Sequence, residues 1–288
     1  MSDKYVDDVS GVSTTGHEWD GIRELDNPMP RWWVWTFYVT IVWALLYAIA
    51  YPAWPLLTGS TQGLLGYSSR GEVRKELAEA DNAKSGYMAA IKVKSIDDIL
   101  ADEQLRTVAV AAGGAAFKLN CVQCHGSGAE GSKGFPNLND DDWLWGGTAD
   151  QIQQTVAHGI RFAQDGETRD SVMPPFADVL DSDQISQVST FVASLSAPVE
   201  NVSLIEPGKA VYSENCAACH GDNAKGNKEM GAPDLTNAIW LYGSGEEAIA
   251  AQIRAPRVGV MPAWDARLGE TTVKELAAFV HSLGGAEK

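Results

Sequence analysis

The sequence predicts a mainly α-helical protein with one N-terminal transmembrane helix followed by two tandem helical domains of the same plan. Three observations lead there. An uncharged run, "WWVWTFYVTIVWALLYAIAY", spans residues 32–51. "GGAAFKLNCVQCHG" (residues 113–126) returns as "GKAVYSENCAACHG" (residues 208–221). No stretch sustains the apolar–polar alternation of strands, so β structure should be minor. A chain of 288 residues has room for about two domains.

Residues 1–30 form an acidic N-terminal segment, and residues 31–57 the anchor. An apolar run of about 20 residues makes a helix of roughly 30 Å, the thickness of a bilayer core. Trp32, Trp33 and Trp35 crowd one end, and Tyr51 and Trp54 mark the other, as interfacial aromatics do. Pro52 and Pro55 discourage further helix. Ala48-Ile49-Ala50 has the small–x–small look of a cleavage site. The long acidic region before it and the length of the run argue against a removed signal peptide. Lys and Arg counts on the two flanks are nearly balanced, so charge leaves orientation open.

Residues 58–112 read as a linker with short helices, including "EVRKELAEADNAKSGYMAAI" and "IDDILADEQLRTVAVAA", a spacer without a chemical motif. The repeat then defines domains at residues 113–197 and 206–284. Within them "FPNLNDDDWLW" parallels "APDLTNAIWLY", and "MPPF" (173–176) parallels "MPAW" (261–264). Each copy closes with an amphipathic helix, "DQISQVSTFVASLS" and "TVKELAAFVHSLG". "SAPVENVSLIEPG" is the Pro-containing joint between them.

The four cysteines, Cys121, Cys124, Cys216 and Cys219, all lie in the repeated phrase. A disulfide scaffold would spread them to staple distant loops. Structural zinc sites set CxxC pairs about 15–20 residues apart, several times closer than here. A thioredoxin-like pair needs a strand before it. CxxCH fits covalent haem: both thiols bond one haem, and the following His lies beneath the iron as proximal ligand. The sequence therefore predicts two covalently bound haem c groups in two c-type cytochrome domains, with His125 and His220 as iron ligands.

Met thioether is a soft partner to His that raises haem potential and suits electron transfer. Met173 and Met261 hold matching places, each before a Pro. The expected pairs are His125 with Met173 and His220 with Met261, both irons then being coordinatively filled. Met88 reads as packing and Met230, without a counterpart in the first repeat, as a loop residue. His158 could approach the first haem, while His17 and His281 read as non-ligands. Arg161, Arg254 and Arg257 precede the methionines and suit haem propionates, or are simply exposed. Trp143, Trp145, Trp240 and Trp264 would line the pockets as part of the core.

A net charge of −16 argues against nucleic-acid binding. It suits long-range attraction of a basic protein partner, or merely a soluble surface. Covalent haem c is added outside the bacterial cytoplasmic membrane, so residues 58–288 are expected to be periplasmic and the first 30 cytoplasmic.

With these parts in order, the chain closely resembles the di-haem CcoP (FixP) subunits of cbb3-type cytochrome c oxidases. The carriers of the resemblance are "GHEWDGIRELDNPMPRWWVWTFYVTIVWALLYAIAYPAWP", "CVQCHG", "CAACHG", "GAPDL" and "MPAW". The resemblance covers nearly the whole chain, and the version here has one span where some relatives have two. It implies a subunit of the inner membrane that takes electrons from a donor cytochrome c. Its two haems would pass them to a mono-haem subunit and a haem–copper subunit that reduces O2 and pumps protons. This chain lacks the His clusters of a haem–copper centre and is not expected to catalyse on its own. The rival readings are a free-standing anchored electron shuttle, a cytochrome subunit of a periplasmic dehydrogenase, and a di-haem peroxidase, which would need one open iron.

Overall fold

Helices dominate the computed structural model, which describes residues 5–287. The chain divides into two units, residues 1–83 and 84–288.

The first unit opens with an antiparallel hairpin, β1 (Thr14–Trp19) and β2 (Ile22–Leu25). Asp20 and Gly21 form its two-residue turn with φ of 49° and 82°. Two successive left-handed residues give the turn whose twist matches that of paired strands. Helix α1 (Arg31–Ala50) starts directly after Pro30, which is extended at ψ 137°. None of its 20 residues is buried. A helix apolar on all sides with no covered face requires an apolar surrounding, here of bilayer length. Its two hydroxyls are satisfied internally: Thr36 Oγ1 donates to the Trp32 carbonyl and Thr40 Oγ1 to that of Phe37, at 2.9 and 2.7 Å. Tyr51 ends the helix in an extended conformation before Pro52. The Leu64 and Leu65 amides then donate to the carbonyls of Ile49 and Ala50, two of the acceptors a helix end leaves open. Between them runs a tight hairpin, β3 (Pro55–Leu56) and β4 (Gly59–Ser60).

Helix α2 (Ser69–Val93) runs for 25 residues, longer than the short helices expected. Its last residues belong to the second unit. There Lys274, almost fully buried, donates to the carbonyls of Lys92 and Lys94 and closes the helix end. Helix α3 (Ile96–Ala101) is capped by Ser95, and α4 (Glu103–Asn120) by Asp102, whose carboxylate accepts from the Gln104 and Leu105 amides. Ile91, Ile96, Ile99, Leu105 and Ala109 are buried in one core with Phe117. Residues 91–109 are therefore part of a haem lobe rather than a spacer. Their buried apolar positions recur every three to six residues, across the ends and faces of α2, α3 and α4.

The remaining helices are α5 (Val122–His125), α6 (Ala149–His158), α7 (Ser182–Ser194), α8 (Ile205–Asn215), α9 (Ala217–His220), α10 (Glu246–Arg254), α11 (Asp265–Leu268) and α12 (Glu270–His281). Two lobes result: the second is one continuous stretch, residues 173–253, whereas the first joins residues 90–157 to residues 261–286. Helix α12 packs on α4 and α6, whereas α7 packs on α8 and α10. The expected arrangement, each repeat closed by its own last helix, is thus replaced by an exchange: α7 joins the second repeat and α12 the first. The physical reason lies in matched docking faces. Gly113 on α4 lets the backbone of Glu275 approach so closely that a Cβ would collide with its carbonyl, and Gly208 on α8 does the same for Gln187. Beside them Phe117 meets Phe279, ring centroids 5.2 Å apart, and Tyr212 meets Phe191 at 5.3 Å. Either closing helix presents what either groove accepts.

Candidate haem sites

Each CxxCH phrase sits at the turn from one helix into another. The Cys121 amide donates to Phe117 at 2.8 Å and ends α4; the His125 amide donates back to Cys121 at 2.9 Å and makes the single turn of α5. Cys216 and His220 repeat this with Tyr212 and Cys216 as acceptors, at 2.8 and 3.0 Å. On one helical turn, positions i, i+3 and i+4 share a face, so both thiols and the imidazole of each motif point the same way. Gly126 and Gly221, at φ 80° and 78°, then reverse the chain, which only glycine does freely.

The returning loops orient the imidazoles. His125 Nδ1 lies 3.1 Å from the Pro136 carbonyl, and His220 Nδ1 lies 3.2 Å from that of Pro233. A carbonyl only accepts, so Nδ1 carries the proton and Nε2 keeps its lone pair for a metal. Burial lowers the pKa of both rings against the opposing effect of those carbonyls, which favours the neutral form a ligand needs.

All four thiols are unpaired. Burial, reinforced by the neighbouring Cys124 or Cys219, pushes Cys121 and Cys216 each up to about 11. A buried thiol held neutral is a poor disulfide-exchange nucleophile, which speaks against the thioredoxin-like alternative. Among the described residues, no group of three or more His, Cys, Asp or Glu is arranged for a metal ion alone. Two thiols, one imidazole with Nε2 bare and an apolar wall with a thioether match covalent haem.

The methionines lie across the expected pairing. Met261 packs against the core containing Phe117, as do Cys121, Val122 and Trp264. Met173 packs against the core containing Tyr212, as do Cys216, Ala217 and Trp240. The chain crossings that carry them are matched. Trp264 donates its amide to the carbonyls of Val156 and Ala157 at the end of α6, and Phe176 donates to Ile253 near the end of α10. Ile160 and Met261 also exchange both backbone hydrogen bonds, at 2.9 and 3.0 Å. The pairs His125 with Met173 and His220 with Met261 are therefore not the ones brought together. Sequence matching aligned the methionines correctly but carried no sign of the exchange.

Two of the three arginines, Arg161 and Arg257, bond backbone carbonyls. Arg161 donates from Nε to the Ser171 carbonyl and from Nη1 to that of Gly259, at 2.8 and 3.1 Å, with its guanidinium 5.6 Å from the Trp145 ring centre. Arg257 donates to the Tyr242 carbonyl and lies over that ring. Arg254 ends α10, exposed. Arg169, which sequence reading passed over, bonds Thr155 and Gln154 and covers Trp145. Its place four residues before Met173, matching that of Arg257 before Met261, was a signal in the repeat.

The other histidines and methionines sit apart from the thiols' cores, whereas three of the four tryptophans pack against them. His158 faces Asp165 and Glu167. His281 Nε2 lies 3.2 Å from the Glu287 carbonyl, and His17 stacks on Trp19. Met88 is a half-buried residue of α2, and Met230 is 38 % exposed in a loop. Trp143 and Trp264 pack in the first lobe, Trp240 in the second. Trp145 is buried, and a Cβ at Gly231 would collide with its ring.

Fold and site together define a c-type cytochrome with two haem-attachment motifs. Three family models match: "N-terminal domain of cytochrome oxidase-cbb3, FixP" over residues 11–58, "Cytochrome c" over 110–196, and "Cytochrome C oxidase, cbb3-type, subunit III" over 203–280. The chain is 61 % identical over 284 residues to the cbb3-type cytochrome c oxidase subunit FixP of Sinorhizobium medicae, covering 99 % of this chain and 98 % of that one. It is 51 % identical over 276 residues to the CcoP subunit of Cereibacter sphaeroides, covering 95 % of each. The chain belongs to the FixP/CcoP family of cbb3-type cytochrome c oxidase subunits. It is the membrane-anchored cytochrome subunit, which transfers electrons and is not itself the catalytic part of the oxidase.

Proposed function

We propose that the chain holds two haem c groups with exchanged axial ligands: one on Cys121 and Cys124 between His125 and Met261, the other on Cys216 and Cys219 between His220 and Met173. The observation that carries this reading is that each CxxCH helix shares its core with the methionine of the other repeat. When bound, each haem supplies a one-electron carrier whose potential His/Met ligation raises. The residues around it do the rest. The Pro136 and Pro233 carbonyls hold Nδ1–H, which leaves the Nε2 lone pair of each ring free to serve as the iron ligand when haem is bound. The apolar wall of Phe117 and Trp264, or of Tyr212 and Trp240, limits water.

Electrons enter from a donor cytochrome c with a Lys-rich face, attracted by the acidic surface. They leave towards the mono-haem and haem–copper subunits of the oxidase, where O2 reduction is coupled to proton transport. The haem lobes face the periplasm and the first 30 residues the cytoplasm of a bacterial inner membrane. Arg161, Arg254 and Arg257 have donors left for propionates, with Arg254 the least engaged.

One set of variants tests the haem count, the topology and the ligand exchange. Covalent haem on the purified chain is expected at two per polypeptide. Because attachment occurs outside the cytoplasmic membrane, it also reports the side on which the lobes fold. With Cys121→Ser and Cys124→Ser removing the first haem, adding Met173→Ala is expected to abolish the remaining methionine-to-iron band and lower the potential. Adding Met261→Ala instead should leave them. The opposite result restores the contiguous pairing.

A further inference from the structure

Arg161 has a left-handed backbone, φ 55°, which is uncommon for a residue with a side chain. The other non-glycine residues in that region within the haem lobes, Ala129 and Ala224, are counterparts of each other, each four residues after its histidine. Arg161 has no such counterpart: counted from the helix caps Thr148 and Gly245, its place in the second repeat falls on Val258, which has no positive φ. A strained backbone that appears once in a duplicated structure points to a task done once.

That task can be read from its bonds. Nε donates to the Ser171 carbonyl at 2.8 Å and Nη1 to the Gly259 carbonyl at 3.1 Å. Ser171 is two residues before Met173, and Gly259 is two residues before Met261. The Arg161 amide donates to the Arg169 carbonyl at 2.8 Å, and its neighbour Ile160 is laddered to Met261. Trp145 backs the guanidinium. The planar fork of Arg directs its donors along fixed lines, which a Lys ammonium on a flexible stem does not. One residue therefore touches both methionine loops at the same register.

We propose that Arg161 is a positioning residue for both axial methionines, one guanidinium clamping the two ligand loops so that the sixth coordination positions of the two haems are set together. This rests on the reading that Met173 and Met261 are ligands. With the clamp in place, neither thioether leaves its iron without working against the shared anchor. Without it, both loops gain freedom and both iron–sulfur bonds weaken together.

The test uses the solubilised, haem-loaded full chain. Arg161→Asn removes the reach while keeping a residue that tolerates the left-handed backbone. The methionine-to-iron band of the oxidised protein, CO uptake by the reduced protein and a redox titration are read for each haem. The expected result is loss of band intensity, new CO binding and a lowered potential at both haems, with Arg161→Lys, which keeps a single donor nitrogen, between this variant and the parent. If Arg161→Asn does not accumulate, Arg161→Lys decides on the same signals. A change at one haem only, or a lowered melting temperature with both bands intact, overturns the clamp. Met173→Ala and Met261→Ala separate it from the reading beneath it: each should abolish the band of one haem. If neither does, the ligand assignment falls and the proposal with it.

Discussion

Glu275 lies on α12 with 4 % of its surface exposed, and its Oε1 has no hydrogen-bond partner among the described residues. Burial raises its carboxyl above the ordinary 4.5, against a smaller lowering by Lys84. The folded chain thus keeps a proton there that the unfolded chain releases once pH passes 4.5. Where the folded state binds more protons, stability falls as pH rises, here from 4.5 upward through the raised folded value. Glu275→Gln cannot ionise and removes this slope. Thermal melts should show the variant more stable than the parent at neutral pH, the gain closing as pH approaches 4.5; a gain independent of pH would refute the assignment. The adjacent Lys274 shows what Glu275 lacks: it is equally buried, yet donates to two carbonyls and pairs with Glu270 at 2.8 Å. The two CxxCH phrases stood out in sequence because covalent attachment demands fixed types at fixed spacing. The Lys92 and Lys94 carbonyls that Lys274 bonds and the Gly259 carbonyl that Arg161 bonds lie far off in sequence, and nothing in local pattern announces them.

At the scale of elements, the exchange of α7 and α12 sets the limits of independent folding. Residues 113–197 hold α7 but not α12, and residues 91–109, part of the same core, lie before them. Deleting α12 uncovers Phe117, Gly113 and the α6 face, leaving the groove of α4 to water. Residues 84–197 alone are therefore expected to give no low-spin His/Met haem at Cys121 and Cys124. Supplying residues 198–287 as a second chain should restore it, as judged by the visible spectrum. A first fragment that forms such a haem by itself would contradict the exchanged packing. The two closing helices were legible in sequence, whereas α6 and α10 were not singled out. Caps such as Thr148 with Gln151 on α6 and Asp181 with Gln184 on α7 mark helix starts, and apolar spacing marks helix faces. Which groove each closing helix enters was not legible, because Gly113 with Phe117 and Gly208 with Tyr212 make nearly the same surface. Similar local energies leave the choice to long-range connection, which periodicity does not record.

For the molecule as a whole, charge and anchor determine how it meets others. An excess of acidic residues, −16 net, raises the local concentration of a basic donor within a Debye length of the surface. The rate of reduction by a Lys-rich cytochrome c should fall as salt is raised from about 0.01 to 0.15 M, across which that length shrinks from roughly 30 to 8 Å. A salt-independent rate would mean that apolar contact, not charge, guides docking. The anchor was legible at this scale from composition and length alone. The hairpin before it and the Leu64–Leu65 closure after it were not, since both depend on backbone bonds rather than on side-chain pattern.

The exchange of α7 and α12 also has a meaning in time. A chain made from its N-terminus presents Cys121 and Cys124 when α12, more than 140 residues later, does not yet exist. The second repeat is different: α7 is already there when α8 emerges. The first motif therefore stays open to attachment until the final stretch of synthesis, while the second can close almost as soon as it appears.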